Sequence, residues 1–218
     1  MTDSKPKFRR EPASLRKEAL IQATLALIAE HGVRGATVRA IAKRADVTQG
    51  LIRHHFSSKE ELITAAYECH MTYMTNLTSA SSAQTALSNA SAIERLTTFV
   101  VASLQPPVVD PGSVTLWASF INKVREDEHM REIHEKTYHD FRNRLEVLIR
   151  ESLTESKITV QSEELRQMAI ASNGVIDGLW LEGGALPEAF HPGELPKIGL
   201  KSVGAIIGIT LDFEGQQT

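Results

Sequence analysis

The sequence predicts an all-α protein in two parts, a small basic head followed by a larger acidic helical body. Three observations predict it. Apolar residues recur at helical spacing in nearly every segment, and no segment alternates as a half-buried strand does. Residues 1–60 hold 12 Lys and Arg against 6 Asp and Glu, whereas residues 61–218 hold 12 against 21. Good N-cap residues, Thr37, Thr48 and Ser58, stand directly before short apolar-periodic stretches.

The elements follow in order. A first helix runs from about Ser14 to His31, with Leu20, Ile21, Leu25, Leu27 and Ile28 in one core-facing stripe. Gly32 supplies its stop. Thr37 caps a short helix over 38–45 with Val38, Ile41 and Ala42 on one face. Asp46 makes the turn, because Asp tolerates left-handed backbone. Thr48 caps a second short helix over 48–55. Ser58-Lys59-Glu60-Glu61 is a capping box in which Glu61 reaches back to the cap residue, and it opens a long helix through Leu62, Ile63, Ala66 and Cys69. The Ser-, Ala- and Thr-rich run Leu77–Ala92 reads as a frayed end and a connection. Helices then cover about Ile93–Leu104, Ser113–Arg125, Met130–Glu155, Glu163–Gly183 and Pro196–Phe213, with a break from Pro106 to Gly112.

Two short helices joined by a tight turn are helix-turn-helix geometry, whose second helix enters the DNA major groove. By 100° steps, Gln49, Gly50, Arg53 and His54 share one arc of that helix, and Leu51, Ile52, His55 and Phe56 share the other. Arg53 suits guanine acceptors and Gln49 suits adenine, because their forked groups match those base edges. Gly50 allows close backbone approach. Thr37, Arg39, Lys43, Thr48, His55 and Lys59 complete the expected DNA surface, the hydroxyls and cations being suited to phosphate. A basic segment on an acidic body is the electrostatic footprint of a nucleic-acid binder.

On these residues the chain resembles a known family. The run 36–47, Ala-Thr-Val-Arg-Ala-Ile-Ala-Lys-Arg-Ala-Asp-Val, continues through 48–62, Thr-Gln-Gly-Leu-Ile-Arg-His-His-Phe-Ser-Ser-Lys-Glu-Glu-Leu. Together they resemble the TetR family of bacterial repressors, most specifically in His55-Phe56-x-x-Lys59-x-x-Leu62. Arg53 and His54 stand where many members have a Tyr pair, so their assignment rests on the helical arc. The resemblance implies an all-helical homodimer with one DNA-binding domain per chain and a variable ligand-binding domain. The expected division is 1–60 for DNA binding and 61–218 for ligand binding and dimerisation. A two-fold dimer spaces its recognition helices for successive major-groove turns of a palindromic duplex operator.

In the body, Val175-Ile176-Asp177-Gly178-Leu179-Trp180-Leu181 is similar to a segment of the choline-responsive betaine-regulator branch, and Leu116–Phe120 is so more weakly. Trp117 and Phe120 lie one turn apart, as do Tyr138 and Phe141, while Asn173, Asp177 and Trp180 share a helix face. Aromatic rings with one carboxylate suit a small cationic effector, although aromatics at helical spacing are also ordinary core. Asp177 on an apolar helix needs a partner if buried, whether a ligand, an Arg or a helix cap. Gly204 and Gly208, four apart, fit either a four-helix dimer interface with Glu163–Gly183 or close packing within the chain.

Enzyme readings find little purchase. There is no nucleophile elbow, phosphate loop or dinucleotide fingerprint. The single cysteine, Cys69, falls on a core-facing pattern, excludes an internal disulfide and fits a reducing cytoplasm. His129, His134 and His139 recur every five residues and do not stack as a helical metal site does, so no metal or cofactor is expected. No segment reads as a signal peptide or membrane span. The remaining alternative is a helical adaptor whose basic head binds acidic proteins.

Overall fold

The computed structural model describes residues 13–86 and 89–212, and for 79–86 the helical backbone alone. The described residues form nine α-helices and one 3-10 turn, with no strand. The chain divides after Cys69 into two compact units.

The first unit holds α1 (Ala13–Gly35), α2 (Val38–Arg44), α3 (Gln49–His55) and the start of α4 (Lys59–Ala86). Its core is Leu20, Leu25, Leu27 and Ile28 of α1 with Ile41, Ile52, Phe56, Leu62 and Ile63; Ile21 is half-buried. Gly32 interrupts α1 with left-handed backbone, φ 68°, before one further turn to Gly35. Thr37 Oγ1 accepts from the Ala40 amide at 3.2 Å, and Thr48 Oγ1 from the Leu51 amide at 3.3 Å. Asp46 makes the α2–α3 turn at φ 52°, as its short polar side chain allows. The capping box at Ser58 differs from expectation. Ser58 does accept from the Glu61 amide at 3.0 Å, but Glu61 reaches past it to the Ser57 amide at 2.6 Å and the Ser57 hydroxyl at 2.5 Å. Those bonds hold the Glu61 carboxyl below its ordinary pKa and clamp the α3–α4 corner one residue earlier.

The second unit holds the rest of α4 with α5 (Ala92–Ser103), α6 (Pro111–Glu126), α7 (Glu128–Glu155), α8 (Ser162–Ala185), the turn Pro187–Ala189 and α9 (Glu194–Ile207). Its core joins Leu96, Phe99 and Val100 of α5, Leu145 and Ile149 of α7, Ala169 and Ile176 of α8, and Leu200 and Val203 of α9. Three boundaries depart from the sequence reading. α4 continues through the small polar run to Ala86 instead of fraying at Leu77. Pro111 opens α6 from its first turn, where its missing N–H costs nothing, with Asp110 accepting from the Ser113 amide at 2.9 Å. α9 stops at Ile207; its expected end, Phe213, lies outside the described residues, as do residues 1–12 of the basic segment.

The α9 stop explains the paired glycines. Gly208 turns left-handed at φ 72°, and the Ile209 amide folds back to the Gly204 carbonyl at 3.1 Å, a Schellman ending. A Cβ on Gly204 would stand 2.6 Å from the Ile209 carbonyl oxygen. Gly204 therefore packs closely within the chain, and Gly208 serves the left-handed stop. No helix among the described residues is long and apolar enough to cross a membrane.

Candidate functional site

α3 divides as its sequence predicts. Ile52 and Phe56 are buried, whereas Gln49, Gly50, Arg53 and His54 are exposed. A Cβ on Gly50 would meet nothing closer than Thr48 Oγ1 at 3.7 Å, so the fold itself does not demand glycine there. Thr37, Arg39, Lys43 and Thr48 are exposed as well. Two nominated residues stand differently. His55 is half-buried on the inward arc, its ring 5.2 Å from that of His54. Lys59 is half-buried, and its ammonium donates to the Val33 carbonyl at 3.4 Å, at the end of α1. A cation absent from the sequence reading, Arg44, is spent inside the protein: its guanidinium forks onto both carboxylate oxygens of Glu30, one at 2.8 Å, tying α2 to α1. Lys17 lies over the Phe56 ring, 5.4 Å from its centroid. Exposed basic and polar groups thus stand on α2 and α3, while Arg44 and Lys59 are engaged with α1.

In the second unit α4, α6, α7 and α8 border a half-open cavity of about 100 Å³, room for several waters or one small molecule. Trp117, Tyr138, Phe141, Asn173, Asp177 and Trp180 line it. Phe120 does not: it is fully buried and stands outside the lining, so being one turn from Trp117 puts it in the core. Sequence reasoning missed the α4 wall, His70, Met74 and Thr78. Their spacing of four carries two polar groups along one inward helix face, the signal that was available.

The chemistry of the cavity is aromatic with a single, half-buried acid. The Trp117 and Trp180 rings meet edge to face, 6.1 Å between centroids and 81° between planes. Trp180 is pinned by its N–H donating to the Val108 carbonyl at 2.9 Å. Phe141 packs on Phe99 of the core at 5.0 Å, and Tyr138 on His134 at 4.4 Å. Asp177 Oδ2 accepts from Asn173 Nδ2 at 2.8 Å and forms no ion pair among the described residues. Burial pushes its carboxyl up to about 6, against the hydrogen bond from Asn173 and the positive charge of Arg142. Burial and the nearby Asp177 charge push the Tyr138 phenol up to about 12. Burial holds the His70 imidazole below its ordinary value, against a backbone bond at Ser113 and the charge of Asp110. Cys69 is half-buried with its thiol pushed up by burial, the opposite of an activated nucleophile.

The chain matches two family profiles. Residues 20–66 match that of bacterial regulatory proteins of the tetR family, and residues 92–208 that of the BetI-type transcriptional repressor C-terminal domain. The HTH-type transcriptional regulator BetI of Proteus mirabilis (strain HI4320) is 28% identical over 185 residues, 85% of this chain and 88% of that one. Among solved structures, a transcriptional regulator from Pseudomonas aeruginosa PAO1 superposes with a TM-score of 0.80 at 30% identity, covering 93% of this chain and 95% of that one. A regulator from Saccharomonospora viridis, solved in complex with choline, shares the fold at 18% identity with a TM-score of 0.66, covering 89% and 96%. These relatives are regulators of transcription, neither enzymes nor adaptors. With a helix-turn-helix whose polar face is exposed and a helical body matching over more than half its length, the chain belongs to the TetR family of DNA-binding transcriptional regulators, with a BetI-type C-terminal domain.

Proposed function

We propose that the chain is a cytoplasmic repressor released from a palindromic operator by a small cationic effector, of which a quaternary ammonium ion such as choline is the type. Residues 1–60 read DNA, with Arg53 and Gln49 facing bases and Arg39 and Lys43 facing phosphates; residues 61–218 hold the effector and the dimer contact. Half-buried Asp177 carries the effector reading. A half-buried carboxylate that shares the cavity lining with Trp117, Trp180 and Tyr138 and forms no ion pair among the described residues is an anion suited to a counter-ion. A quaternary ammonium suits it: it needs no hydrogen bonds, and the ring faces attract it. The choline complex of the Saccharomonospora viridis regulator supports the same class.

DNA and effector sites are coupled when each ligand prefers a different conformation, and each then weakens the other by the same factor. α4 is the lever, because it starts at the Ser58 corner and carries His70, Met74 and Thr78 to the cavity wall. Thermal-shift titration of the full chain tests the effector class, since binding to the native state raises its apparent stability. Choline and tetramethylammonium are expected to raise Tm in a saturable manner, and an uncharged isostere of tetramethylammonium to leave it unchanged. Equal shifts from the neutral isostere would refute a cation site.

A further inference from the structure

Arg142 on α7 is a half-buried cation that neither the core nor the cavity lining uses. Its buried Nε has no hydrogen-bond partner, and its guanidinium forms no ion pair among the described residues. It directly follows the cavity-lining Phe141 and lies one turn beyond Tyr138, so it flanks the wall that α7 gives the cavity. Both Tyr138 and Asp177 feel its positive charge. Asp177 stands on α8, which packs against α7, and its carboxylate likewise forms no ion pair among the described residues. Two opposite charges thus stand partly desolvated and unpaired on packed helices, an arrangement that is costly for each. An arginine stem turns about several single bonds, and its planar fork fits a carboxylate with two hydrogen bonds.

We propose that Arg142 is the internal counter-ion of Asp177: the two pair in the conformation that binds operator, and a cationic effector takes the place of Arg142 on the carboxylate. The inference rests on the cation reading of Asp177 above and adds the contact that differs between the two states. A ligand shifts a conformational equilibrium only through unequal affinity for its states. A carboxylate that already holds a guanidinium attracts a second cation weakly, whereas a free one attracts it well. The effector therefore selects the unpaired state. Losing the pair unties α7 from α8, two of the four helices that border the cavity.

The test is a double-mutant cycle on operator affinity of the full chain, by fluorescence anisotropy at pH 8 without effector. Arg142→Gln and Asp177→Asn are each expected to weaken operator binding at least roughly fivefold, and the double variant no further than either alone. Neither residue belongs to the unit that holds α2 and α3, so the loss reports a conformation and not a DNA contact. Arg142→Met, which keeps an apolar stem, reads the same corner of the cycle if Arg142→Gln does not fold. Arg142→Lys, which keeps the charge, is expected to restore part of the affinity. Choline is expected to bind Arg142→Gln at least as tightly as the native chain in calorimetry, while the factor by which it weakens operator binding falls toward one. A merely structural role for Arg142 lowers stability and leaves that factor unchanged. Native operator affinity in Arg142→Gln, or losses that multiply in the double variant, overturns the inference while the cation reading stands. Failure of choline to bind the native chain overturns the cation reading, and the displacement of Arg142 with it. The cycle is read without choline, so the two failures are distinct.

Discussion

The Asp177 carboxyl is raised from an ordinary 3.8 to about 6, chiefly by burial, which disfavours its charged form by roughly 3 kcal/mol. The folded state therefore binds this proton more tightly than the unfolded state does. Below about pH 4 the group is neutral in both states and burial carries no charge penalty; the penalty grows as pH rises from about 4 to 6 and is complete above that. Asp177→Asn is accordingly expected to stabilise the unliganded protein at pH 8 by about 1–3 kcal/mol, with a gain that shrinks toward pH 4, while abolishing binding of choline. Urea unfolding at several pH values reads the first effect and calorimetry the second. A variant destabilised at pH 8 would mean that Asp177 holds the fold. Cation affinity of the native chain should also rise with pH through about 6, as the carboxylate forms; affinity flat across that range would separate binding from Asp177. The aromatics and the acid of the cavity were visible in the sequence because such residues are conspicuous on apolar helix faces. Phe120 was misplaced because spacing tells which turn a residue is on, not whether it meets a cavity or a core.

At the scale of elements, the short helices are set by their caps and by contacts the sequence does not display. Thr37 and Thr48 start α2 and α3 as their sequence positions announce. Thr48→Ala is expected to cost about 1 kcal/mol in equilibrium unfolding through loss of the α3 cap; no change would show that packing alone holds α3. The polar arc of α3 was equally legible, because a helix turning 100° per residue sorts its own faces. The Glu30–Arg44 fork and the reach of Lys59 to Val33 were not, since each joins residues 14 or 26 apart that meet only after folding, while the backward reach of Glu61 was legible but lands one residue earlier, on Ser57. Arg53 and Lys43 make a pair of contrasting predictions. Arg53→Ala should lower discrimination between operator and random duplex by about 1–3 kcal/mol, and Lys43→Ala should weaken both alike and flatten the salt dependence of binding. Fluorescence anisotropy at several salt concentrations separates them; unchanged discrimination in Arg53→Ala would remove it from base reading.

Regulators of this family act as dimers, and the space around the glycines of this chain suggests a face for the second copy. Gly204 is filled against its own chain, whereas on α8 a Cβ added at Gly174 or Gly178 would meet no other atom within 4 Å. Exposed Ile170 and Leu181 flank these two glycines on the same helix. Leucine at Gly178 is therefore expected to leave the chain folded but monomeric in sedimentation and weak on the operator, while leucine at Gly204 is expected to unfold the α9 end. Folded, dimeric Gly178→Leu would move the interface off this face. The all-helical division was legible from periodicity and charge. The persistence of α4 to Ala86 was not, because small polar residues are weak helix formers whose state is decided by what surrounds them.

The proposed function makes the protein a switch in which a cavity and a DNA surface are linked through reciprocal preference. The most direct measurement of that link is operator affinity of the native chain, by anisotropy on a palindrome selected from random duplexes, with and without saturating choline. It is paired with choline affinity of the free and operator-bound protein. Choline is expected to weaken operator binding, and operator to weaken choline binding, by the same factor, at least roughly fivefold. Choline that binds the cavity yet leaves operator affinity unchanged would contradict the link.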